Sequence, residues 1–132
     1  MTEYPAGIVQ LVSAYDFSST LNRLTDAFER AHMQIFAVID HRAAAAKVSL
    51  SMPPTTVLVY GNPQSGTPLM LTTPMVALDL PLRVLVREDP SGSTIVAYHP
   101  AASMTDLVVL TDAQLAGFSR AETLIADTIA GE

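Results

Sequence analysis

The chain has 132 residues, a length that one domain with a single hydrophobic core normally accounts for. Hydrophobic residues make up 49% of the chain and charged residues 15%, which excludes the charge-rich composition of a disordered protein. The formal net charge is −6 with no Lys/Arg cluster, so nucleic acid is not an expected partner, and the absence of cysteine excludes disulfides and thiolate chemistry.

The first part of the chain predicts a strand, a helix and a strand. Residues 7–15 are rich in β-forming Ile, Val and Leu. Ser18 or Ser19 then caps a helix that extends to Ala31, because apolar residues recur there at helical spacing. The short apolar run 33–39 predicts a buried second strand.

Short helical pieces surround the third predicted strand. The alanine-rich tract 42–47 favours one or two helical turns, which the following prolines end. Residues 55–60 (TTVLVY) predict the strand, and Gly61-Asn62-Pro63 is a typical turn that closes it. A short helix is expected to open at Gly66-Thr67-Pro68 and to reach Leu71.

The last part of the chain predicts a hairpin and a long helix. Residues 82–87 (LRVLVR) and 93–98 (STIVAY) flank a turn, as the two strands of a hairpin do. The segment 100–110 is ambiguous, and Thr111-Asp112 begins a helix with an apolar stripe that ends at Gly131.

This order of elements predicts an α+β fold, β-α-β(4)-α, in one domain over residues 1–132. The sheet is expected to be mostly antiparallel, with the two long helices on one face. The opposite face must then be polar, capped or buried against a partner. The high apolar content favours burial in a homodimer.

Four short motifs carry a family resemblance. They are Ile39-Asp40-His41, Tyr60-Gly61-Asn62-Pro63, Gly66-Thr67-Pro68-Leu69-Met70 and Leu78-Asp79-Leu80-Pro81. In this order and spacing the chain resembles the bacterial family called domain of unknown function 302. The resemblance implies a compact β-α-β(4)-α arrangement, similar in shape alone to the TATA-binding-protein fold, and it implies no DNA binding.

The chain departs from the family pattern at three positions. Leu82 stands where part of the family has a cysteine, so no thiol chemistry is carried over. His32 replaces the glycine that is common before the second strand, and Tyr98-His99 stands for the usual Tyr-Asn. These changes add imidazoles near edges where function could reside.

Acid–base chemistry is one interpretation of the first motif. His41 follows a buried strand, where a loop can present an imidazole as general acid or base. Its carboxylate partner would be Asp40 or Asp79. Asp40 is poorly placed for this role, because it precedes His41 and neighbouring residues on a strand point to opposite faces. The alternative is structural: His41 caps the alanine helix and Asp40 hydrogen-bonds a nearby loop.

The loop from Gly61 to Thr67 has two interpretations as well. Backbone N–H groups at its helix start could bind an anion, although the phosphate-loop pattern and its lysine are missing. The alternative is a tight turn, which the carboxylate of Asp79 could lock by accepting N–H bonds.

Two main function hypotheses follow, and a purely structural dimer is the third. The first is a small-ligand or partner-binding homodimer, and the second is a small enzyme using His41 and Asp79 on a carbonyl or ester substrate. The three histidines lack metal-ligand spacing, so neither a metal nor a cofactor is expected. No signal peptide or membrane span is recognised, and the cytoplasm is the expected location. The predicted ligand-lining residues are Asp40, His41, Tyr60, Asn62, Thr67, Asp79 and Tyr98.

Overall fold

The computed structural model describes residues 2–4, 7–101 and 110–131. The strands are β1 (Thr2–Tyr4), β2 (Ile8–Val12), β3 (Gln34–Asp40), β4 (Thr55–Gly61), β5 (Leu82–Glu88) and β6 (Thr94–Tyr98). The helices are α1 (Phe17–Arg30), α2 (His41–Lys47), α3 (Pro63–Thr72), a 3-10 helix (Pro74–Asp79) and α4 (Asp112–Ile129).

The six strands form one antiparallel sheet in the order β1-β2-β6-β5-β4-β3. All five predicted strands are present, and the predicted α+β fold is confirmed. The short β1 was not predicted, because three residues carry no readable alternation. Most of the ambiguous segment, residues 102–109, lies outside the described residues.

Both long helices pack on one face of the sheet, as predicted. In β4 every second residue is buried, so Leu58 and Tyr60 point at the helices. Leu24 and Phe28 from α1 meet them, and Ile125 from α4 completes this main core. Its fully buried side chains account for the position of both helices.

The sheet face away from the long helices has a mostly apolar row of residues, with Arg83 and Arg87 on either side of it. Strand pairing aligns one residue from each of five neighbouring strands across it. Ile95 and Ala97 in the central β6 are buried there, with 3% and 8% of their surface exposed, whereas Ile39 at the end of the row is 41% exposed. The aligned residues are Gln10, Ala97, Leu85, Val57 and Ile39.

A second, smaller core lies beside the first. Leu69 of α3 and Val76 of the 3-10 helix pack with Ala101 and Leu110. Leu82 at the start of β5 contacts both cores. This small core fixes α3 and the 3-10 helix at one end of the sheet.

The helix caps differ in part from the predicted ones. Asp16, not Ser18 or Ser19, caps α1, because its Oδ1 accepts the Ser19 N–H at 2.8 Å. Thr111 caps α4 as predicted, and it exchanges hydrogen bonds with Gln114 in a capping box. The helix predicted from Gly66 begins earlier, at Pro63.

Candidate functional site

Strand direction divides the predicted site residues between two ends of the sheet. Asp40 pairs with Thr56, whereas Gln34 pairs with Gly61. Thr56 and Gly61 are separated by about 17 Å of extended strand. The end that carries Asp40 and His41 is called the histidine end below, and the end that carries Gly61 and Asn62 is called the asparagine end.

The expected convergence of these residues in one site is therefore wrong for a single chain. Because β3 and β4 are antiparallel, the segments that follow them leave opposite ends of the sheet. Asp79 lies on the asparagine side, since Pro81 two residues later packs on Gly61. Within one chain, His41 and Asp79 cannot form the proposed acid–base pair.

At the histidine end, a carboxylate holds the start of α2. Asp40 is the N-cap residue, and its Oδ1 accepts the Ala43 N–H at 2.9 Å. This corrects the structural alternative, in which His41 was the cap. His41 is the first residue of α2 and is exposed to solvent.

An open cavity of about 560 Å³ lies at the same end. Arg42 and Glu88 contribute opposite charges to its lining. None of the seven predicted ligand-lining residues belongs to it. The lining residues are Arg42, Ser51, Met52, Pro53, Pro54 and Glu88.

At the asparagine end, the backbone N–H groups at the start of α3 are hydrogen-bonded within the chain. Asn62 Oδ1 accepts the Gln64 N–H at 2.9 Å. The Asn62 carbonyl accepts the N–H groups of Ser65 and Gly66, at 3.0 and 2.8 Å. These bonds occupy the N–H groups that an anion would need, so the turn interpretation describes this segment. Thr67 is exposed on α3.

Tyr60 lies in the main core, not at an open surface. It is 3% exposed, and its ring stacks on Phe28 with 4.1 Å between centroids. Burial, and to a smaller extent the charge of Glu122, raises the pKa of Tyr60. Tyr98 is half-buried, and burial followed by the Glu122 charge raises its pKa too.

Glu122 is the residue that sequence reasoning missed. Its Oε2 accepts the Ala101 N–H at 2.8 Å, which ties the chain after β6 to α4. A signal was available, because Glu122 lies four residues after Phe118 and three before Ile125, within the apolar stripe of α4. A carboxylate at such a position normally has a buried partner.

The histidines are also divided between the ends. His32 and Met33 connect α1 to β3 at the asparagine end, and His99 follows β6 at that end. His32 has φ of +62°, a backbone conformation that favours glycine, and its N–H donates to the Glu29 carbonyl at 3.0 Å. Among the described residues of one chain, no group of three or more His, Asp or Glu side chains could hold a metal ion.

The outer edge of β3 is an unusual surface. Within the described ranges, no strand pairs with this edge. Residues 34–39 carry no charge, and Phe36, Val38 and Ile39 are 45%, 57% and 41% exposed. Exposed edges are normally protected by charges, prolines or bulges, because their unpaired backbone groups recruit other strands. Of these, β3 has a register irregularity between Ile35 and Ala37 but no charge or proline in residues 34–39. This surface, with its three apolar side chains, is called the β3 edge below.

Comparison with known proteins places the fold and motifs in one family. The sequence profile of the family described as "Domain of unknown function DUF302" matches residues 9–128. The chain belongs to this family. It is similar to the crystal structure of an uncharacterized conserved DUF302 protein from Bacillus stearothermophilus, with a TM-score of 0.75 and 15% identity over 93% of this chain and 95% of the other.

Longer curated proteins contain a similar segment. A fluoride-specific ion channel, FluC 1 of Brucella suis, is 38% identical over 87 residues, which are 66% of this chain and 34% of that protein. FluC 2 of Brucella melitensis is 38% identical over 87 residues, which are 32% of its length. The chain thus spans about a third of the length of these relatives. No helix in the described part of this chain has the length and apolarity to cross a membrane.

Proposed function

We propose that this domain is a binding module that acts as a homodimer, with the β3 edges of two copies paired antiparallel. The observation that carries the proposal is the β3 edge itself. It combines open backbone donors and acceptors with exposed apolar side chains on an uncharged strand. A second copy supplies the complementary strand and continues the sheet through the interface.

The sequence of β3 suits pairing with itself. A two-fold axis at Ala37, the middle of the strand, places Gln34 of one copy opposite Asp40 of the other, with the register irregularity between Ile35 and Ala37 beside the axis. Each Asp40 then faces an uncharged amide, and no like charges meet along residues 34–40. For a protein with a net charge of −6, an uncharged strand is a favourable place for a second copy to dock.

The expected energies indicate a dimer of moderate affinity. Burying the exposed half of an apolar side chain contributes about 1 kcal/mol. Val38 and Ile39 pair with Leu58 and Val57 and so point to opposite faces of the sheet, which pairing at the edge covers only in part, so the six side chains contribute at most roughly 6 kcal/mol. About six backbone hydrogen bonds contribute a similar amount at a net value of about 1 kcal/mol each. Association costs on the order of 4–15 kcal/mol. Because the gain and the cost are of the same order, a single charge on the β3 edge should decide whether the dimer forms.

The experiment compares two valine-to-lysine substitutions by sedimentation equilibrium over micromolar concentrations. Val38→Lys puts a lysine on the β3 edge and is expected to weaken dimerisation at least about 100-fold, because the interface must desolvate the charge. Val12→Lys is the matched control, since Val12 is 66% exposed but lies on β2 between two other strands. Both variants should keep the circular dichroism spectrum of the parent.

Three outcomes would overturn the proposal. The parent chain could be monomeric at these concentrations, both variants could dimerise equally well, or Val12→Lys alone could dissociate the dimer. The last result would place the interface on the sheet face away from the long helices, which also contains Ile39 and Val57.

The Brucella comparisons support a second candidate, a module that serves a fluoride channel. The supporting observation is the 38% identity over 87 residues to part of a protein with that name. Deleting the matched segment from the Brucella suis protein should then change fluoride efflux from vesicles that contain it. Unchanged efflux and unchanged channel assembly would contradict this candidate.

A further inference from the structure

We infer that Tyr60, Tyr98 and Glu122 form a binding site for the ammonium group of a small primary amine. The site lies within one chain, at the asparagine end of the main core, so it does not depend on the proposed dimer. It combines two of the residues predicted to line a ligand site with the carboxylate that sequence reasoning missed.

The sheet register places the two tyrosines on the same face. Tyr60 is opposite Leu82 of β5, and Val84, two residues further along β5, lies beside Tyr98 of β6. Residues two apart on a strand share a face, so Tyr98 points toward the long helices as Tyr60 does. Tyr60 belongs to the main core, and Tyr98 packs against it.

Glu122 approaches the two tyrosines from α4. Its Oε2 accepts the Ala101 N–H at 2.8 Å, and Ala101 follows Tyr98 by three residues, so the carboxylate is held close to the end of β6. Burial first, and then the charge of Glu122, raises the pKa of Tyr60 and of Tyr98. The carboxylate therefore lies within electrostatic range of both phenol groups.

The phenol hydroxyls of this cluster have no protein partners. Neither hydroxyl is hydrogen-bonded to another described residue, although only 3% of Tyr60 is exposed. Every fully buried side-chain oxygen or nitrogen among the described residues has a partner, so the Tyr60 hydroxyl retains access to solvent. Polar groups in a core normally have a hydrogen-bond partner, and a ligand can supply the one that is missing here.

Glu122 also lacks a counter-charge. It is half-buried, and within the described ranges no Lys, Arg or His side chain forms an ion pair with it. Arg120, the basic residue nearest to it in sequence, is exposed and lies beside Gly117. Because a partly buried charge is normally paired, the site favours a cationic ligand.

A primary ammonium group matches the acceptors of this cluster. Its three N–H donors correspond to the Glu122 Oε1 and the two phenol oxygens, and its charge offsets that of the carboxylate. The alkyl chain of the amine can pack on Leu82, which contacts both cores. A quaternary ammonium ion has the same charge but no N–H donor, so it cannot make these hydrogen bonds.

A ligand series tests the site on the parent chain, through NMR titration of the Ala101 amide that is bonded to Glu122. We expect n-butylammonium to shift this signal to saturation with a Kd on the order of 1 mM. Butyltrimethylammonium at equal ionic strength and n-butanol should each bind at least about tenfold more weakly, because the first lacks N–H donors and the second lacks charge. Equal responses to the two ammonium ions, or no saturable shift with n-butylammonium, would overturn the site.

Two substitutions test the assigned residues. Glu122→Gln should weaken n-butylammonium binding at least about tenfold, and Tyr98→Phe about fivefold, because they remove a charge and an acceptor. Tyr98→Phe keeps the bond between Glu122 and Ala101, so it tests the site even if Glu122→Gln does not fold. Glu29→Gln on the exposed face of α1 and Tyr15→Phe, whose hydroxyl donates to the Ala130 carbonyl, are the matched controls.

The outcomes separate this inference from the proposed function. Unchanged amine binding in Glu122→Gln or in Tyr98→Phe would contradict the site, as would an equal loss in the matched controls. Amine binding by a monomeric chain would support the site and remove the proposed dimer. A dimer that does not bind n-butylammonium would do the reverse.

Discussion

Replacing Tyr60 by phenylalanine should remove part of the alkaline sensitivity of this domain. The Tyr60 ring is 3% exposed and stacks on Phe28, so its phenolate would have to form within the main core. Burial therefore raises the pKa of Tyr60 above its ordinary value near 10. In the unfolded chain the same hydroxyl ionises at its ordinary pKa.

The direction in which stability changes with pH follows from the different pKa of Tyr60 in the folded and the unfolded chain. Below pH 10 Tyr60 is neutral in both states, and its contribution to stability is fully present. As the pH rises above 10, the unfolded chain loses a proton that the folded chain keeps, so stability is lost until the pH passes the folded pKa. When the folded chain holds one proton more than the unfolded chain, the free energy of unfolding falls by about 1.4 kcal/mol per pH unit.

The assay is urea unfolding followed by circular dichroism at several pH values between 7 and 11.5. Tyr60→Phe keeps the stacked ring and is expected to show a slope above pH 10 that is shallower by about 1.4 kcal/mol per pH unit. Tyr15→Phe is the matched control, because it removes a phenol near the surface and leaves the Tyr60 contribution in place. Equal slopes in Tyr60→Phe and the parent would refute the reasoning.

Three further substitutions, the last with a matched control, test other parts of the structure. Asp40→Ala removes the α2 cap and should lower the free energy of unfolding by about 1 kcal/mol in a urea titration, and no loss would show that the cap is not formed. Glu122→Gln removes a negative charge beside Tyr98, so the pKa of Tyr98 should fall in a spectrophotometric phenolate titration, and an unchanged value would place Glu122 elsewhere. Leu24→Ala in the main core should lower the free energy of unfolding in urea by about 2–5 kcal/mol. Leu71 is 77% exposed on α3, so Leu71→Ala should change it by no more than about 0.5 kcal/mol. Similar losses in the two variants would contradict the assigned core.

Much of the fold could be predicted because local patterns determined it. The alternation in residues 55–60 and the apolar stripe of α4 each identify an element and its buried face. Asp16 was missed as a cap because Ser18 and Ser19 are equally good capping residue types. Choosing among them needs the backbone angles, which residue types alone do not supply.

The candidate site was less predictable, because it depends on which strands pair and in which direction. His41 and Asn62 each follow a strand, and a parallel pair would have placed them at one end. The antiparallel β3–β4 pair places them at opposite ends. The β3 edge was also hidden, since residues 33–39 have the composition of a buried strand but lie at the margin of the sheet.

The division into two cores has a consequence for native-state hydrogen exchange. The small core around Leu69 and Val76 is joined to the main core chiefly through residues such as Leu82. Such an arrangement allows subglobal opening, in which α3 and the 3-10 helix detach while the central strands stay protected. Amide protons of α3 should therefore exchange through a lower free energy than those of β4. The loosened segment would border the asparagine end and leave in place the strand that pairs in the proposed dimer.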